Sequence, residues 1–271
     1  MKTIPQKSLP RLKAFTLVEL LIVIAIIGIL AAMLLPVINV AEQHAKKTQA
    51  KLECGNIVNA IQQYESDYTR MPVSSIVQGS GADEVTFGGI FQSPGNNPYM
   101  VGSTNPVSGQ VYTNNSDVIA ILLDYTNFVN GWNANGWTDN TNFMKNPKHN
   151  LYMSNTHNSG WDPSKGGLPQ PGIGNDLVYR DPWGNPYVIT MDLDEDNYAN
   201  DAFYGLASVS SSTGVANGPG LTGLTSHIDD GISSYSFHGS VMVWSAGPGG
   251  LVDTASSAIQ GANKNHIISW Q

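Results

Sequence analysis

The chain has 271 residues, of which 13 are basic and 21 acidic, for a net charge of −8, and it has one cysteine, Cys54. A single cysteine excludes an intrachain disulfide, and an acidic chain without a basic, aromatic-rich face disfavours nucleic-acid binding. The sequence also lacks the His-Glu-x-x-His, Gly-x-Ser-x-Gly and phosphate-loop patterns of common enzymes. It therefore favours a structural or binding protein that is not an enzyme.

A long apolar segment lies close to the N-terminus. From Leu20 to Ile38, 19 consecutive residues carry no charge. As a helix they extend about 28 Å, close to the ~30 Å hydrocarbon core of a bilayer. A cleavable secretory signal would have a shorter apolar core of roughly 7–15 residues and a small-residue cleavage site after it. Four basic residues precede the segment and none follows before Lys46, which predicts a single-pass span with a cytoplasmic N-terminus.

One carboxylate, Glu19, stands where the apolar segment begins. An ionised side chain in hydrocarbon is costly, so this carboxylate requires a partner within the membrane. The surrounding residues, Lys13-Ala14-Phe15-Thr16-Leu17-Val18-Glu19, closely resemble the N-terminal signature of type IV pilin-like proteins, which include the pseudopilins of type II secretion.

The resemblance implies that a prepilin peptidase cuts between Ala14 and Phe15 and that the new N-terminus at Phe15 is methylated. The family more often has Gly before the cut, so Ala14 is a mild departure. Cleavage leaves nine basic residues against 21 acidic ones. The new ammonium of Phe15 can neutralise Glu19 within one chain or between neighbours. Our working hypothesis is that the ammonium of one subunit pairs with Glu19 of a neighbouring subunit. Burying either charge alone is costly, so the pair favours the one axial register in which the two charges meet. Thr16 and Glu19 are thus the predicted assembly residues.

The helix is predicted to continue well beyond the span. Gly28 and Pro36 predict a kink near Ala32, or local melting between Gly28 and Pro36 when filaments pack. After Pro36 the pattern becomes amphipathic, which predicts one helix from about Phe15 to Tyr68, ended by Met71-Pro72. The predicted apolar stripe of its second half comprises Cys54, Ile57, Val58, Ile61, Tyr64 and Tyr68.

The middle of the chain is rich in Gly, Asn, Ser and Pro. It contains one predicted helix, from Ser116 to Asn130, with Ser116 as its N-cap. The loops Gly131-Trp132-Asn133 and Gly136-Trp137 follow. They are either surface loops pinned by a tryptophan or sites where aromatic rings stack on sugars.

A second resemblance lies in the C-terminal third. The stretch Asp181-Pro182-Trp183-Gly184-Asn185-Pro186-Tyr187 resembles a signature of the major pseudopilins of type II secretion, and residues 263–270 resemble their terminal stretch. The residues that begin with the last position of the signature, 187–191, are predicted to form a strand. Residues 234–238 and 240–244, around Gly239, are predicted to form a β-hairpin.

Two regions of the sequence contain candidate metal ligands. Compact pseudopilins bind calcium in a loop that corresponds here to residues 245–253, but Gly249 stands where their first Asp would be and only Asp253 remains. Calcium takes six to eight oxygen ligands, so one carboxylate makes a weak site. Asp192, Asp194 and Asp196 alternate like the start of a calcium loop but lack its Gly and distal Glu, so a solvated acidic loop is favoured. No cofactor is therefore expected, and calcium is disfavoured at both places.

The predicted fold class is α+β: a long N-terminal helix packed on a small antiparallel sheet, pilin-like, with a large insertion of loops and a helix. The predicted segments are a leader (1–14), a membrane and filament-core helix (15–38), an amphipathic helix (39–71), a variable insertion (72–178) and a C-terminal sheet region (179–271).

The predicted function is that of a structural subunit. The chain is expected in the bacterial cytoplasmic membrane with its globular domain in the periplasm, and then in a periplasmic pseudopilus that drives type II protein export. The implied partners are further copies of the chain, a prepilin peptidase, the inner-membrane platform of the secretion system and minor pseudopilins. One alternative is a type IV pilus subunit in adhesion, motility or DNA uptake. The other is a membrane-anchored glycan-binding or hydrolytic ectodomain.

Overall fold

The structure, a computed structural model, describes residues 15–95, 97–104, 111–112, 114–128, 137–154, 159–215, 218–229 and 232–270. Its α-helices are α1 (Leu17–Tyr68), α2 (Ser75–Gln78), α3 (Ser116–Leu122) and α4 (Ala207–Ser210). Its strands are β1 (Glu84–Phe87), β2 (Gly89–Ser93), β3 (Asn97–Val101), β4 (Gly172–Ile173), β5 (Tyr179–Arg180), β6 (Val188–Asp192), β7 (Tyr198–Ala199), β8 (Thr225–Asp229), β9 (Ile232–His238), β10 (Val241–Ser245) and β11 (Ile267–Ile268). Short 3-10 helices lie at Thr141–Phe143, Pro163–Lys165 and Asn263–Asn265.

The chain divides into two units, residues 1–45 and residues 46–271. In the described part of the first unit, residues 15–45, every side chain is exposed. Among the described residues, α1 is the one helix whose length and composition suit a membrane crossing. The predicted apolar helix is therefore confirmed, and its apolar side chains are exposed in the described part of this unit.

In the second unit, α1 buries one face. Its buried residues recur at intervals of three or four: Ala50, Glu53, Cys54, Ile57, Ala60, Ile61 and Tyr64. This confirms the predicted apolar stripe, with Val58 and Tyr68 partly buried at its margin. Cys54 is fully buried in the core, and this burial raises the pKa of its thiol. The helix ends at Tyr68, since Thr69 has a φ of 52° and turns the chain before Pro72 is reached.

The central sheet has the strand order β1-β6-β10-β11, with every neighbour antiparallel. Alternate residues of β10 enter two different cores because side chains alternate between the faces of a strand. Val241 and Val243 face the core that contains α1 residues, whereas Met242 and Trp244 join an aromatic core on the other face. The predicted α+β architecture, with a long helix packed against antiparallel sheet, is confirmed.

The segment from 72 to 178 contributes a strand and a helix to this core. It supplies β1, which pairs with β6 along the edge of the central sheet. It also supplies α3, whose residues 118–122 are buried in the same core as Ile57 and Ile61 of α1. Residues of this segment therefore contribute to the stability of the unit as well as to its surface.

The predicted hairpin around Gly239 is wrong. Both strands form, as β9 and β10, but β9 pairs with β7 and β8 while β10 pairs with β6 and β11. The connecting residues bond elsewhere: the Gly239 amide donates to the Asn197 carbonyl at 2.8 Å, and the Ser240 carbonyl accepts from the Asp192 amide at 3.0 Å. The chain thus passes from one sheet to another at Gly239, which alternation within each strand does not reveal.

The helix predicted from Ser116 to Asn130 is shorter than expected. It ends at Leu122, and Asp124 turns the chain with a φ of 58°. Asn115 occupies the N-cap position, although its side chain makes no cap hydrogen bond. Trp137 is 54% exposed, so its ring is not packed in the core. The remaining predicted loop residues, 131–136, lie outside the described residues.

Candidate assembly site, motif loop and acidic loop

The start of α1 is closed by a reciprocal pair of side chains. Thr16 precedes the helix, and its carbonyl accepts the first helical hydrogen bond, from the Leu20 amide at 3.2 Å. The Glu19 amide donates to Thr16 Oγ1 at 3.2 Å, and Glu19 Oε2 accepts from the Thr16 amide at 2.9 Å and from its hydroxyl at 2.8 Å. This is a capping box, in which a Thr and a Glu three residues later satisfy each other's backbone amides.

The capping box gives Glu19 a local partner that the sequence analysis did not identify, although the Thr-x-x-Glu spacing signals it. Both donors use Oε2, and among the described residues no donor reaches Oε1. Ala14 lies outside the described residues, so cleavage at Phe15 and its methylation remain predictions. Phe15 itself is 74% exposed, directly beside Thr16.

The helix runs through Gly28 and Pro36 without interruption. A side chain added at Gly28 would meet nothing within 4 Å. The structure thus describes the apolar segment as helical in a single chain, and the predicted melting between Gly28 and Pro36 in a filament stays a prediction.

The motif loop, Asp181 to Tyr187, is a compact turn built around one buried carboxylate. Asp181 accepts hydrogen bonds from the Trp183 and Asn185 amides, both at 2.9 Å, and from Ser245 Oγ at 2.5 Å. Burial raises the pKa of Asp181, and these hydrogen bonds act in the opposite direction. Gly184 is required here, because its φ is 94° and a Cβ would lie 2.5 Å from the Pro169 carbonyl oxygen.

The end of the motif loop is bonded to the long helix. The Tyr187 hydroxyl donates to Glu53 Oε2 at 2.5 Å, and Gln49 Nε2 donates to Glu53 Oε1 at 2.9 Å. Burial and the nearby negative charge of Glu53 raise the pKa of Tyr179. Glu53 was not included in the predicted apolar stripe, yet it is only 6% exposed. Its spacing of four from Ile57 was the signal that places it on the buried face.

Asn115 fixes the same region from another side. Its side-chain amide donates to the carbonyls of Tyr179 and Tyr187 at 3.0 and 2.8 Å, and its oxygen accepts from the Tyr179 amide at 2.8 Å. The motif loop therefore holds α1, the start of α3 and the strands β5 and β6 in one arrangement. Its observed role is structural.

The loop at residues 245–253 packs on the motif loop. Asn185 Nδ2 donates to the Gly247 carbonyl at 3.0 Å, and a Cβ at Gly250 would lie 2.2 Å from Asn185 Oδ1. The candidate ligand Asp253 is engaged by its own turn, with Oδ1 accepting from the Ala255 amide and Oδ2 from Ser256 Oγ. Asp253 is not part of the cluster formed by Asp192, Asp194 and Asp196.

The acidic run does come together. One carboxylate oxygen from each of Asp192, Asp194 and Asp196 lies within 4.8 Å of the others. Both oxygens of Asp192 already accept backbone amides, from Glu195 and Asn197, each at 2.8 Å. Burial, then the hydrogen bond to Asp194, raises the pKa of Asp192 to about 6. With one oxygen from each carboxylate the cluster supplies three ligands, fewer than the six to eight that calcium takes, and both Asp192 oxygens are engaged by backbone amides.

Comparison with known proteins places this geometry in a family. The family model described as "Prokaryotic N-terminal methylation motif" matches residues 10–35 of this chain. The chain is 33% identical over 124 residues to the fimbrial protein EcpB of Eikenella corrodens. The aligned region covers 45% of this chain and 70% of that protein. No solved structure matches the chain. The methylation motif, the fimbrial relative and the long apolar helix packed on antiparallel sheet together show that the chain belongs to the type IV pilin-like family.

Proposed function

We propose that this protein is the structural subunit of a helical filament, the periplasmic pseudopilus of a type II secretion system. A prepilin peptidase cuts after Ala14, Phe15 becomes the methylated N-terminus, and the processed chain leaves the cytoplasmic membrane as copies polymerise. Growth of the filament from the inner-membrane platform, with minor pseudopilins, then exports folded proteins. The protein acts without catalysis or nucleic-acid binding.

The observation that carries this proposal is the exposed start of α1. Its side chains are exposed throughout residues 15–45, so the apolar surface needs lipid or other copies around it. Glu19 Oε2 is held by Thr16 while Oε1 has no donor among the described residues, which leaves the carboxylate able to accept the ammonium of a neighbouring Phe15. The motif loop supports the choice of a pseudopilus over other filaments.

The experiment that tests the proposal is Glu19→Ala in cells that produce the full chain with its assembly machinery. We expect membrane insertion and cleavage to persist while filaments are lost, because the incoming ammonium has no counter-charge. Glu42→Ala, which removes an exposed acid from the same helix outside the apolar segment, is the matched control and should keep most filaments. Normal filaments from Glu19→Ala would contradict the proposal.

A second candidate function is a type IV pilus subunit, and the fimbrial relative favours it. Electron microscopy of material sheared from cells that express a tagged copy separates the two. Short assemblies bound to the envelope support the pseudopilus, whereas fibres of micrometre length support the pilus. Glycan-array or hydrolase activity in residues 46–271 alone would instead support an anchored binding or hydrolytic domain.

A further inference from the structure

Lys145 is the one buried lysine among the described residues. It follows the 3-10 helix at Thr141–Phe143 and is only 3% exposed. Lysine is almost never fully buried unless its charge is paired. Yet no carboxylate of the described residues lies within 4.0 Å of the Lys145 ammonium. The burial of this amine therefore needs another explanation.

The side-chain partner of this amine is a carboxamide. Lys145 Nζ donates to Gln78 Oε1 at 3.3 Å, and Gln78 is the last residue of α2. An amine and a carboxamide are the two reactants of amide exchange, in which the amine replaces ammonia on the carbonyl carbon. The hydrogen bond holds Nζ beside the carbonyl group that such an exchange attacks. Reactants held together in this way react as if they were highly concentrated.

The surroundings of Lys145 favour its neutral, nucleophilic form. Burial and then the positive charge of Arg70 lower the pKa of Lys145, while the negative charge of Asp139 acts in the opposite direction. Burial also raises the pKa of Asp139. Transfer of a proton from Lys145 to Asp139 leaves both groups neutral, which a buried site favours. A lysine that has lost its proton is an effective nucleophile.

We propose that Lys145 and Gln78 form an isopeptide bond within one chain. Asp139 takes one proton from the Lys145 ammonium, Nζ bonds to Gln78 Cδ, and the bond between Cδ and Nε2 breaks. Nε2 leaves as ammonia with a second proton from Nζ, and it regains the first proton from Asp139 as it departs as ammonium ion. The exchange involves no oxidation or reduction and needs no co-reactant.

The bond gives this chain a covalent link that its cysteine content does not allow. Cys54 is the only cysteine, so no disulfide can form within the chain. The two linked residues are 67 positions apart, and a link that closes a long loop restricts the unfolded chain. Both residues belong to one chain, so the inference does not depend on filament assembly.

The first test is the intact mass of the full chain, purified in detergent. We expect a mass that is one molecule of ammonia below the mass calculated for the same N-terminus. Gln78→Ala and Lys145→Met should each have the full calculated mass. Gln63→Ala and Lys148→Met change exposed residues of the same two types, and these matched controls should keep the loss of ammonia.

The second test is a digest of the denatured chain with trypsin and a glutamate-specific protease. Between Arg70 and Lys145 the sequence has no other basic residue, and Glu84 is its one glutamate. With the bond, fragments 71–84 and 85–148 stay joined, because trypsin does not cut after an acylated lysine. Without the bond they separate, and the second fragment ends at residue 145.

The same digest tests the role of Asp139. We expect Asp139→Asn to slow the joining of the two fragments after synthesis about a hundredfold or more, as loss of a general base does. Joining at the wild-type rate in this variant would contradict the proposed path of the proton.

Three results overturn the inference. The first is a wild-type chain that has its full calculated mass and separate fragments. The second is a loss of ammonia that persists in Gln78→Ala, which would place the loss at another amide. The third is joined fragments in Lys145→Met. Where a variant does not fold, the mass and the digest of the wild-type chain decide the question by themselves.

Discussion

At the scale of single residues, the bond between Tyr187 and Glu53 joins the motif loop to the helix. Both residues are buried, so removing the donor leaves a carboxylate oxygen without its partner. Hydrogen bonds to charged groups contribute about 1.5–3 kcal/mol. We therefore expect Tyr187→Phe to lower the free energy of unfolding by about that amount, measured on the full chain in detergent.

The control for this substitution is Tyr198→Phe, at a residue whose hydroxyl makes no hydrogen bond among the described residues. It should change the free energy of unfolding by less than about 0.5 kcal/mol, as typical surface substitutions do. Equal effects of the two substitutions would show that the loss of a hydroxyl at Tyr187 is not specific.

His266 is the residue whose titration gives a pH dependence with a clear sign. It stacks on Trp244 and bonds to the Leu251 carbonyl and the Tyr204 hydroxyl, at 2.9 and 3.0 Å. Burial lowers the pKa of His266 to about 4. The unfolded chain binds this proton below about pH 6.5, whereas the folded chain does not, so stability falls as the pH drops from about 6.5 to 4.

The measurement compares the melting temperature of wild type and His266→Phe at pH 7 and pH 4.5. We expect the wild type to lose about 1–3 kcal/mol more than the variant over this interval. His238→Phe, at an exposed histidine, should retain the wild-type pH dependence. An unchanged pH dependence in His266→Phe would contradict the assignment.

At the scale of elements, Gly184 is where the motif loop depends on backbone geometry. Its φ of 94° disfavours any L side chain, and a Cβ would lie 2.5 Å from a backbone oxygen. We expect Gly184→Ala to destabilise the unit by more than the ~1–2 kcal/mol of left-handed strain alone, as measured by thermal unfolding. Gly81→Ala supplies the matched strain without a clash, because its φ is 69° with open space around it. Equal losses in the two variants would exclude the clash.

Sheet pairing is also decided at this scale. Strands were predicted at 187–191 and 240–244, and they form as β6 (Val188–Asp192) and β10 (Val241–Ser245), which are buried on both faces. The sequence pattern did not predict their partners, since β9 and β10 follow each other in the chain and lie in different sheets. Strand propensity is local, whereas pairing depends on which surfaces the rest of the chain covers.

At the scale of the whole molecule, the two units differ in how much apolar surface their described residues expose. We predict that residues 46–271, produced without the first 45, are monomeric and water-soluble, because the continuous exposed apolar stretch lies before Lys46. Size-exclusion chromatography with light scattering measures the mass. Larger assemblies from this fragment would show that the second unit polymerises without the apolar helix.

The full-length, processed chain is the comparison for that experiment and should associate unless detergent covers its apolar segment. The fragment retains the charged surface of the second unit, so its behaviour also measures how strongly those charges associate without the apolar helix. We expect no oligomer at physiological salt, because exposed ion pairs contribute about 0–1 kcal/mol and are screened.

The sequence by itself determined the apolar helix, its continuation as an amphipathic stripe and the family signature around Glu19. These depend on periodicity and charge placement along one helix, where neighbours in space are three or four residues apart. Tertiary structure alone decided that Glu53 receives the Tyr187 hydroxyl, that β9 leaves the sheet of β10, and that Asp192, Asp194 and Asp196 converge while Asp253 does not. The first joins residues far apart in the chain, the second depends on which distant strands pair with β9 and β10, and the last depends on how each turn folds back on its own amides, so local pattern does not determine them.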